Sequence, residues 1–497
     1  MKRRRRQDRG DRPQRLLRPT EEISCQPKKS NRGSFDSLRL LAQTAAAQDH
    51  NRQDLRISNP RREAIAGCTT PPQLLQIEKP IYGGGFLAHA EEKAIFVPLT
   101  LPGEQARVRV VEEKRGYATA EATEIVQGSP RRVAPACRHF GGCGGCQYQH
   151  AEYAAQLDFK KQILRETLER SGVRAPEEIA LLAAQPWAYR NRIRVAFDAR
   201  GNAGYRGRRS NAVVPIAECP IAAPLLVRAA LAAAKIAQGP GSCLQLREVS
   251  LFCNAEESEL LASVVAKGAP RNEFEVFARA LAARVPELKG AELALEGQGG
   301  KPLRKVTGWG ESFLHYRAAG FDYRVDHGAF FQVNRRLVGE LVALVTGGVR
   351  GELAWDLFAG VGLFARKLAE SFAQVVAVES APAAVSALGN NLGGTSAKAV
   401  NANVLEFLRG IRNRERPNSM APDLIVVDPP RTGLGAETIA LLAEIAAPVV
   451  TYVSRDPATL ARDLCALLSR GYEIESATLA DLFPQTFHLE AVVRLRR

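Results

Sequence analysis

Cys137, Cys143 and Cys146 crowd into CRHFGGCGGCQYQH, and Cys219 follows far downstream in AECPIAAP. Three thiols set among glycines, with a remote fourth, fit a soft metal centre better than core packing. Zinc and an iron–sulfur cluster both take four thiolates, so the metal stays open at this point. The spacing C-x3-C-x2-C of clusters that cleave a cofactor reductively is absent. His139 and His150 stand nearby as outer neighbours or, more simply, as surface and capping groups. Cys25, Cys68, Cys243, Cys253 and Cys465 lack such company and read as ordinary small residues. Nine cysteines in 497 residues make no disulfide framework.

A second chemistry lies in residues 353–379, LAWDLFAGVGLFARKLAESFAQVVAVE. The apolar run through Trp355, Asp356, Leu357 and Phe358 reads as a buried strand. Ala359, Gly360 and Gly362 turn it into an amphipathic helix, and a second strand, Val375 to Val378, ends in Glu379. Such a βαβ unit brings glycine backbone and a carboxylate to one end of a parallel sheet, where Glu379 can accept hydrogen bonds from two ribose hydroxyls. Gly360, Gly362 and Ala365 also fit the loose G-x-G-x-x-G/A pattern, so S-adenosylmethionine and a nicotinamide or flavin cofactor stand level on this unit alone. Downstream, Asp428 ends the apolar strand of DLIVVDPPRTGL, and Pro429 and Pro430 stiffen the loop that carries Arg431. A loop of this kind can hold a planar base beside a methyl donor. Glu490, in FHLEAVV, is a carboxylate in an apolar strand, whose ordinary place is the solvent side.

These groups need several elements to position them, and the length predicts two to four domains. Residues 1–70, opening MKRRRRQDRGDRPQR, read as a disordered basic tail, or simply as an over-extended start. Residues 71–128 alternate apolar and polar positions between glycine and proline breaks, which predicts a small OB-like β-barrel. Tyr82, Phe86, Arg107, Lys114, Arg115 and Tyr117 are its candidates for contact with single-stranded RNA or DNA, a purely structural barrel being the alternative. Residues 129–325 form a central α+β domain with the cysteines. Its strands near residues 187–220 carry Arg190, Arg192, Arg194, Arg206, Arg208 and Arg209 as a basic face, or as a solvated one. Residues 221–320 complete this domain without nameable chemistry, and residues 326–497 hold the βαβ unit. A net charge of +15 and a pI near 9.6 favour a polyanion, RNA or DNA, as partner. No apolar run is long enough to span a bilayer, and a cytoplasmic location is expected.

Taken in order, DHGAFFQVN (Asp326 to Asn334), the βαβ unit, NANVLEFL, DLIVVDPPRTGL, YVSRDPATLARD and FPQTFHLEAVV resemble the RNA uracil-C5 methyltransferases that use S-adenosylmethionine and carry a four-iron cluster. The resemblance runs from about residue 74 to the C-terminus and includes a TRAM barrel and C-x5-C-x2-C with a distant cysteine. It implies an α/β fold with a C-terminal Rossmann-like methyltransferase domain, acting as a monomer on structured rRNA or tRNA. It implies that Cys137, Cys143, Cys146 and Cys219 hold a [4Fe-4S] cluster, structural or RNA-orienting. Gln332, Phe358, Glu379, Asn403 and Asp428 would contact S-adenosylmethionine, and Glu490 would remove the C5 proton. One position departs from the pattern, because Arg455 stands where the family has its nucleophilic cysteine. A guanidinium stays protonated and offers no nucleophilic pair, whereas uracil C5 needs a thiolate added at C6 to become nucleophilic. Cys465, ten residues on along a helix, is expected to be too far to substitute. The expected function is uridine C5 methylation. The alternatives are an impaired RNA-binding pseudoenzyme, or methylation of a base atom that needs no covalent activation.

Overall fold

The computed structural model describes residues 71–497 except 240–243, 269–270, 296–303 and 414–420. The basic tail expected over residues 1–70, with Cys25 and Cys68, lies outside the described residues, as does Cys243.

The first unit is a curved sheet of six strands, β1 (Gln73–Gln76), β2 (Lys79–Pro80), β3 (Gly85–Ala90), β4 (Lys93–Pro98), β5 (Gln105–Glu113) and β6 (Tyr117–Gln127), in the order β1-β5-β6-β4-β3-β2. Only β4 and β6 pair in parallel. Its inward face carries Ile77, Phe86, Ile95, Val97 and Val108, and it closes over Tyr148 and Phe159 from the following segment. Phe86 and Tyr117 are therefore core residues, 0% and 5% exposed, not the RNA-stacking platform that sequence suggested. Period-2 alternation finds two faces but does not say which is inside.

Helix α1 (Tyr153–Arg170) buries Ile163, Leu164 and Leu168 against the C-terminal sheet. β7 (Ala180–Leu182) joins that sheet as an edge strand beside its penultimate strand in sequence. The central sheet comprises β8 (Arg192–Phe197), β9 (Ala203–Arg206), β10 (Val213–Pro215), β11 (Gln245–Cys253), β12 (Leu260–Lys267), β13 (Leu288–Leu295) and β14 (Arg304–Gly310), in the order β10-β9-β8-β11-β12-β13-β14. Helices α2 (Pro224–Ala237) and α3 (Arg271–Arg284) cover it with alanine-rich and phenylalanine-bearing faces. A ribbon of β15 (Phe313–Ala318) and β16 (Phe321–Asp326) follows. Its Leu314, Tyr316, Tyr323 and Val325 belong to the core of the C-terminal half, so packing crosses the division drawn from sequence at 325/326.

That half runs α4 (Val338–Thr346), β17 (Gly351–Leu357), α5 (Leu363–Leu368), β18 (Phe372–Glu379), α6 (Pro382–Asn391), β19 (Ala397–Asn401), α7 (Val404–Arg412), β20 (Leu424–Val427), α8 (Ala436–Ile445), β21 (Val449–Ser454), α9 (Pro457–Leu468), β22 (Glu473–Ala480) and β23 (Glu490–Arg496). The sheet order is β19-β18-β17-β20-β21-β23-β22-β7. β17 to β21 pair in parallel, and β23 inserts antiparallel between β21 and β22. Strand order reverses between β17 and β20, which opens a crevice at their carboxyl ends. The hairpin β22–β23 departs from the all-parallel dinucleotide order, so topology favours the methyl-donor reading of the glycine turn over the nicotinamide one. Among the described residues no helix is long and apolar enough to cross a membrane.

Candidate active site

Five strands deliver the site to one edge. The parallel strands β17, β18, β20 and β21 end just before or at Phe358, Glu379, Asp428 and Arg455. Because β23 runs the other way, its first residue, Glu490, arrives at that same edge, and Ala491 pairs with Ser454 next to Arg455.

Asp428 and Glu490 are buried, Glu490 completely. Both oxygens of Glu490 and Oδ1 of Asp428 have no hydrogen-bond partner. Loss of hydration pushes the Glu490 carboxyl up to about 8, with repulsion from Asp428 adding and Arg455 opposing. Burial likewise raises Asp428, again against the pull of Arg455. Asp356, one residue before the end of β17, is fully buried and raised to about 7, first by desolvation and then by Asp428 and Glu379. Its Oδ2 accepts from the Ala365 amide at 2.8 Å, which ties α5 to the strand, while Oδ1 is unpaired. The Arg455 guanidinium lies 3.6 Å from Asp428 Oδ1 and 4.7 Å from the ring centroid of Phe330. Phe330 is 45% exposed, which is unusual for an aromatic ring beside a buried carboxylate set.

The glycine turn is left-handed at Phe358, Gly360 and Gly362 (φ 68°, 58° and 90°). A Cβ on Gly362 would come within 2.9 Å of Leu388, whereas one on Gly360 would meet nothing within 4 Å, so open space lies over Gly360. Glu379 accepts from the amides of Gly360, Ser380 and Ala381 at 2.7–2.9 Å. Three of its roughly four acceptor sites are thereby used, and two ribose hydroxyls would have to displace a backbone bond. Asn403 is exposed and caps α7, accepting from Leu405 N. Gln332 is buried where DHGAFFQVN docks on the central domain, and its carbonyl accepts from Asn191 Nδ2.

The rigid loop Asp428–Leu434 is braced by α9. Asp463, fully buried, accepts from Leu434 N and from the Tyr452 hydroxyl, and Thr459 Oγ1 donates to the Arg431 carbonyl. A Cβ on Gly433 would stand 2.4 Å from Asp463 Oδ2, so only glycine fits there. Cys465 packs on the apolar cluster beneath the sheet, about 12 Å along α9 from Pro457 at 1.5 Å per residue, and does not reach Arg455.

The profile of the tRNA (Uracil-5-)-methyltransferase family matches residues 309–497. A 23S rRNA (uracil(1939)-C(5))-methyltransferase RlmD of Halomonas elongata is 32% identical over 83% of this chain and 87% of its own length. An uncharacterized RNA methyltransferase of Streptomyces avermitilis is 33% identical over 83% and 95%. The chain belongs to the RNA (uracil-C5) methyltransferase family. The crystal structure of the Pyrococcus abyssi tRNA (uracil-54, C5)-methyltransferase with S-adenosyl-L-homocysteine covers 85% of this chain and 100% of that one, with TM-score 0.67 and 24% identity, a likeness of fold.

In this methyltransferase the glycine-rich cysteine loop docks on the segment bearing Cys219. Cys143 bridges Gly207, the Ala217 amide donates to His139 Nε2 at 3.2 Å, and Tyr205 donates to the Cys219 sulfur at 3.6 Å. Burial raises the thiols of Cys137, Cys143 (about 11) and Cys146 (about 12), and Cys219 acts electrostatically on all three. Yet among the described residues no three His, Cys, Asp or Glu side chains are gathered tightly enough for a single metal ion. His139 is thus a cap, and His150, lowered to about 4 by burial, bonds the Thr100 carbonyl instead.

The basic face of the central domain is divided. Arg208 and Arg209 pair with Glu121 and Glu112 and so fasten the barrel, and Arg192 lies over Phe252. Arg194 pairs with Glu248, Arg206 donates to the Asn211 carbonyl, and Arg190 adjoins Cys146 and Cys219. In the barrel Arg107 pairs with Glu124 and Lys114 with Glu112. Tyr82 instead points at the site, its hydroxyl 3.4 Å from the Arg455 carbonyl. Sequence reasoning passed over Asp356 and Phe330, and it placed Tyr82 on a nucleic-acid face of the barrel rather than at this site; an aspartate inside an apolar strand just before a glycine turn was a usable signal for the first, while the other two depend on tertiary contacts.

Proposed function

We propose that this chain binds S-adenosylmethionine and a uridine of structured rRNA or tRNA as a cytoplasmic monomer, and acts as a uracil-C5 methyltransferase whose activating thiolate is replaced by Arg455. The observation that carries the reading is the set of buried carboxylates, Asp356, Asp428 and Glu490, with four oxygens lacking a donor. A fixed cation relieves such a set, and a sulfonium supplies one without needing hydrogen bonds. Gln332, Phe358, Glu379, Asn403 and Asp428 would contact the donor, with Glu379 toward the ribose and Asn403 toward the adenine. Glu490 would take the C5 proton after the methyl carbon leaves sulfur for C5, the sulfonium bond pair returning to sulfur. The TRAM-type barrel and the basic tail would add phosphate contacts.

Arg455 cannot add to C6, and its contacts favour a second reading in which RNA and donor are held but transfer is slow. It lies 3.6 Å from Asp428 Oδ1 and packs its guanidinium against the ring of Phe330, which stays half-exposed at the mouth. Incubating wild type and Arg455→Cys with labelled donor and RNA, then digesting to nucleosides, tests this. The variant is expected to form at least about tenfold more 5-methyluridine. Abundant product from wild type would overturn the role given to Arg455, and calorimetry of donor binding separates a donor-using protein from a bare RNA binder.

Cys137, Cys143, Cys146 and Cys219 fit a [4Fe-4S] cluster. Partly buried thiols that would repel one another as thiolates ionise together only around a cation, and a multi-atom cluster holds its four sulfurs further apart than zinc does. When bound, the cluster would balance the thiolate charge and stiffen the loop, and no step of transfer passes through it.

A further inference from the structure

The segment Asp481–Leu489, which leads into Glu490, has almost no regular structure of its own and is held from outside. Gln485 sits in a left-handed conformation (φ 67°) and offers its carbonyl to two amides of the cysteine loop, Gln147 N and Tyr148 N, both at 3.0 Å. The Gln147 side chain then bridges the two pieces. Its Nε2 donates to the carbonyl of Gly144, between Cys143 and Cys146, at 2.9 Å, and its Oε1 accepts from Phe487 N at 3.4 Å. Gly84 leaves the room for this, since a Cβ there would lie 2.8 Å from Gln147 Cγ. Tyr82 packs edge-on against Phe487, 5.6 Å between centroids. From α1, Gln156 bonds both the amide and the side chain of Gln485.

The geometry points to Gln147 as a positioning residue for the carboxylate of Glu490, through which the cysteine loop fixes the segment that buries it. This rests on the reading of Glu490 as the proton acceptor. Glu490 begins β23 three residues after Phe487, faces Asp428 from β20 and Arg455 from β21, and pairs in the sheet with Ala480, beyond which lies the buried Asp481–Lys160 pair. His488, two residues before it, stands beside Arg431. If residues 485–489 loosen, water reaches Glu490 and its acidity returns toward that of an ordinary carboxyl.

Hydrogen–deuterium exchange on the full chain compares wild type with Gln147→Ala, and methyl transfer against pH compares Arg455→Cys with Arg455→Cys/Gln147→Ala. The expected result is exchange at least about tenfold faster across 485–489, with β17 and β18 unchanged. In transfer, kcat falls while the donor KM holds, and the acid-limb midpoint, which reports ionisation of the general base, moves to lower pH. Gln147→Glu, which keeps the acceptor toward Phe487, is expected to restore part of both. Unchanged exchange at 485–489 overturns the inference even if transfer proves too slow to follow. Normal transfer by Arg455→Cys/Glu490→Gln overturns the reading of Glu490 instead, so the two failures are distinguishable.

Discussion

At the scale of single residues, the site is defined by charge that water no longer reaches. Glu490 titrates near 8 and Asp356 near 7, against ordinary values of 4.5 and 3.8, and burial leads the causes of both shifts. A carboxyl whose pKa is raised by folding contributes stability below its unfolded value and loses it as pH rises through the folded one. Stability is therefore expected to decline between about pH 4.5 and 8 as these groups ionise. Glu490→Gln removes one of the charges, and urea unfolding at both ends of that window should show the variant gaining on the order of a few kcal/mol over wild type at the alkaline end only. Equal stability of the two proteins at high pH would mean that Glu490 is solvated. Glu490 was named through the family resemblance alone, and Asp356, inside an apolar strand, was not named as a site residue at all. Their protonation could not be read from sequence, since it depends on how five strands converge.

At the scale of elements, the turn between β17 and α5 separates folding from binding within three residues. Gly362 is needed for packing, because its Cβ would strike Leu388. Gly360 is not, and replacing it with alanine should cost only about 1–2 kcal/mol for a left-handed non-glycine residue. The added methyl projects into the open space over the turn, so Gly360→Ala is expected to weaken S-adenosylmethionine binding at least about tenfold by calorimetry, with a melting temperature lowered by only a few degrees. A variant that melts much earlier, or binds the donor normally, would place the ligand elsewhere. The glycine pattern named the turn but ranked its two glycines alike. Only the position of α6 beneath one of them tells the two apart.

At the scale of the whole molecule, the three modules meet around the segment that carries Glu490. Lys160 and Asp481, both fully buried, join α1 to its start at 2.6 Å, and Lys160 also donates to the Phe483 carbonyl. Tyr153 donates to the same aspartate, and the Tyr189 hydroxyl to the Pro484 carbonyl. Breaking a buried pair by removing one partner strands a charge, so these contacts are rigid supports. The thiol centre adjoins the same supports through Gln147. Loss of the proposed cluster to a chelator is expected to bleach a visible iron–sulfide absorption and to speed amide exchange in residues 137–149 and 481–489, while β17–β21 stay protected. Exchange confined to residues 137–149 would show that the cysteine loop bears only on itself.

The sequence by itself determined what local pattern can carry: the glycine turn, the acidic strand ends Glu379 and Asp428, the grouping of Cys137, Cys143 and Cys146, and the arginine at 455. Each depends on neighbours within a few positions, where hydrophobic period, turn chemistry and spacing act directly. Tertiary structure decided that Phe86 and Tyr117 face inward, that Arg208 and Arg209 serve the barrel, that β7 leaves the central domain for the C-terminal sheet, and that Gln147 reaches Phe487 across 340 residues. Those outcomes follow from which faces are buried together, and burial is a property of the assembled core that no window along the chain contains.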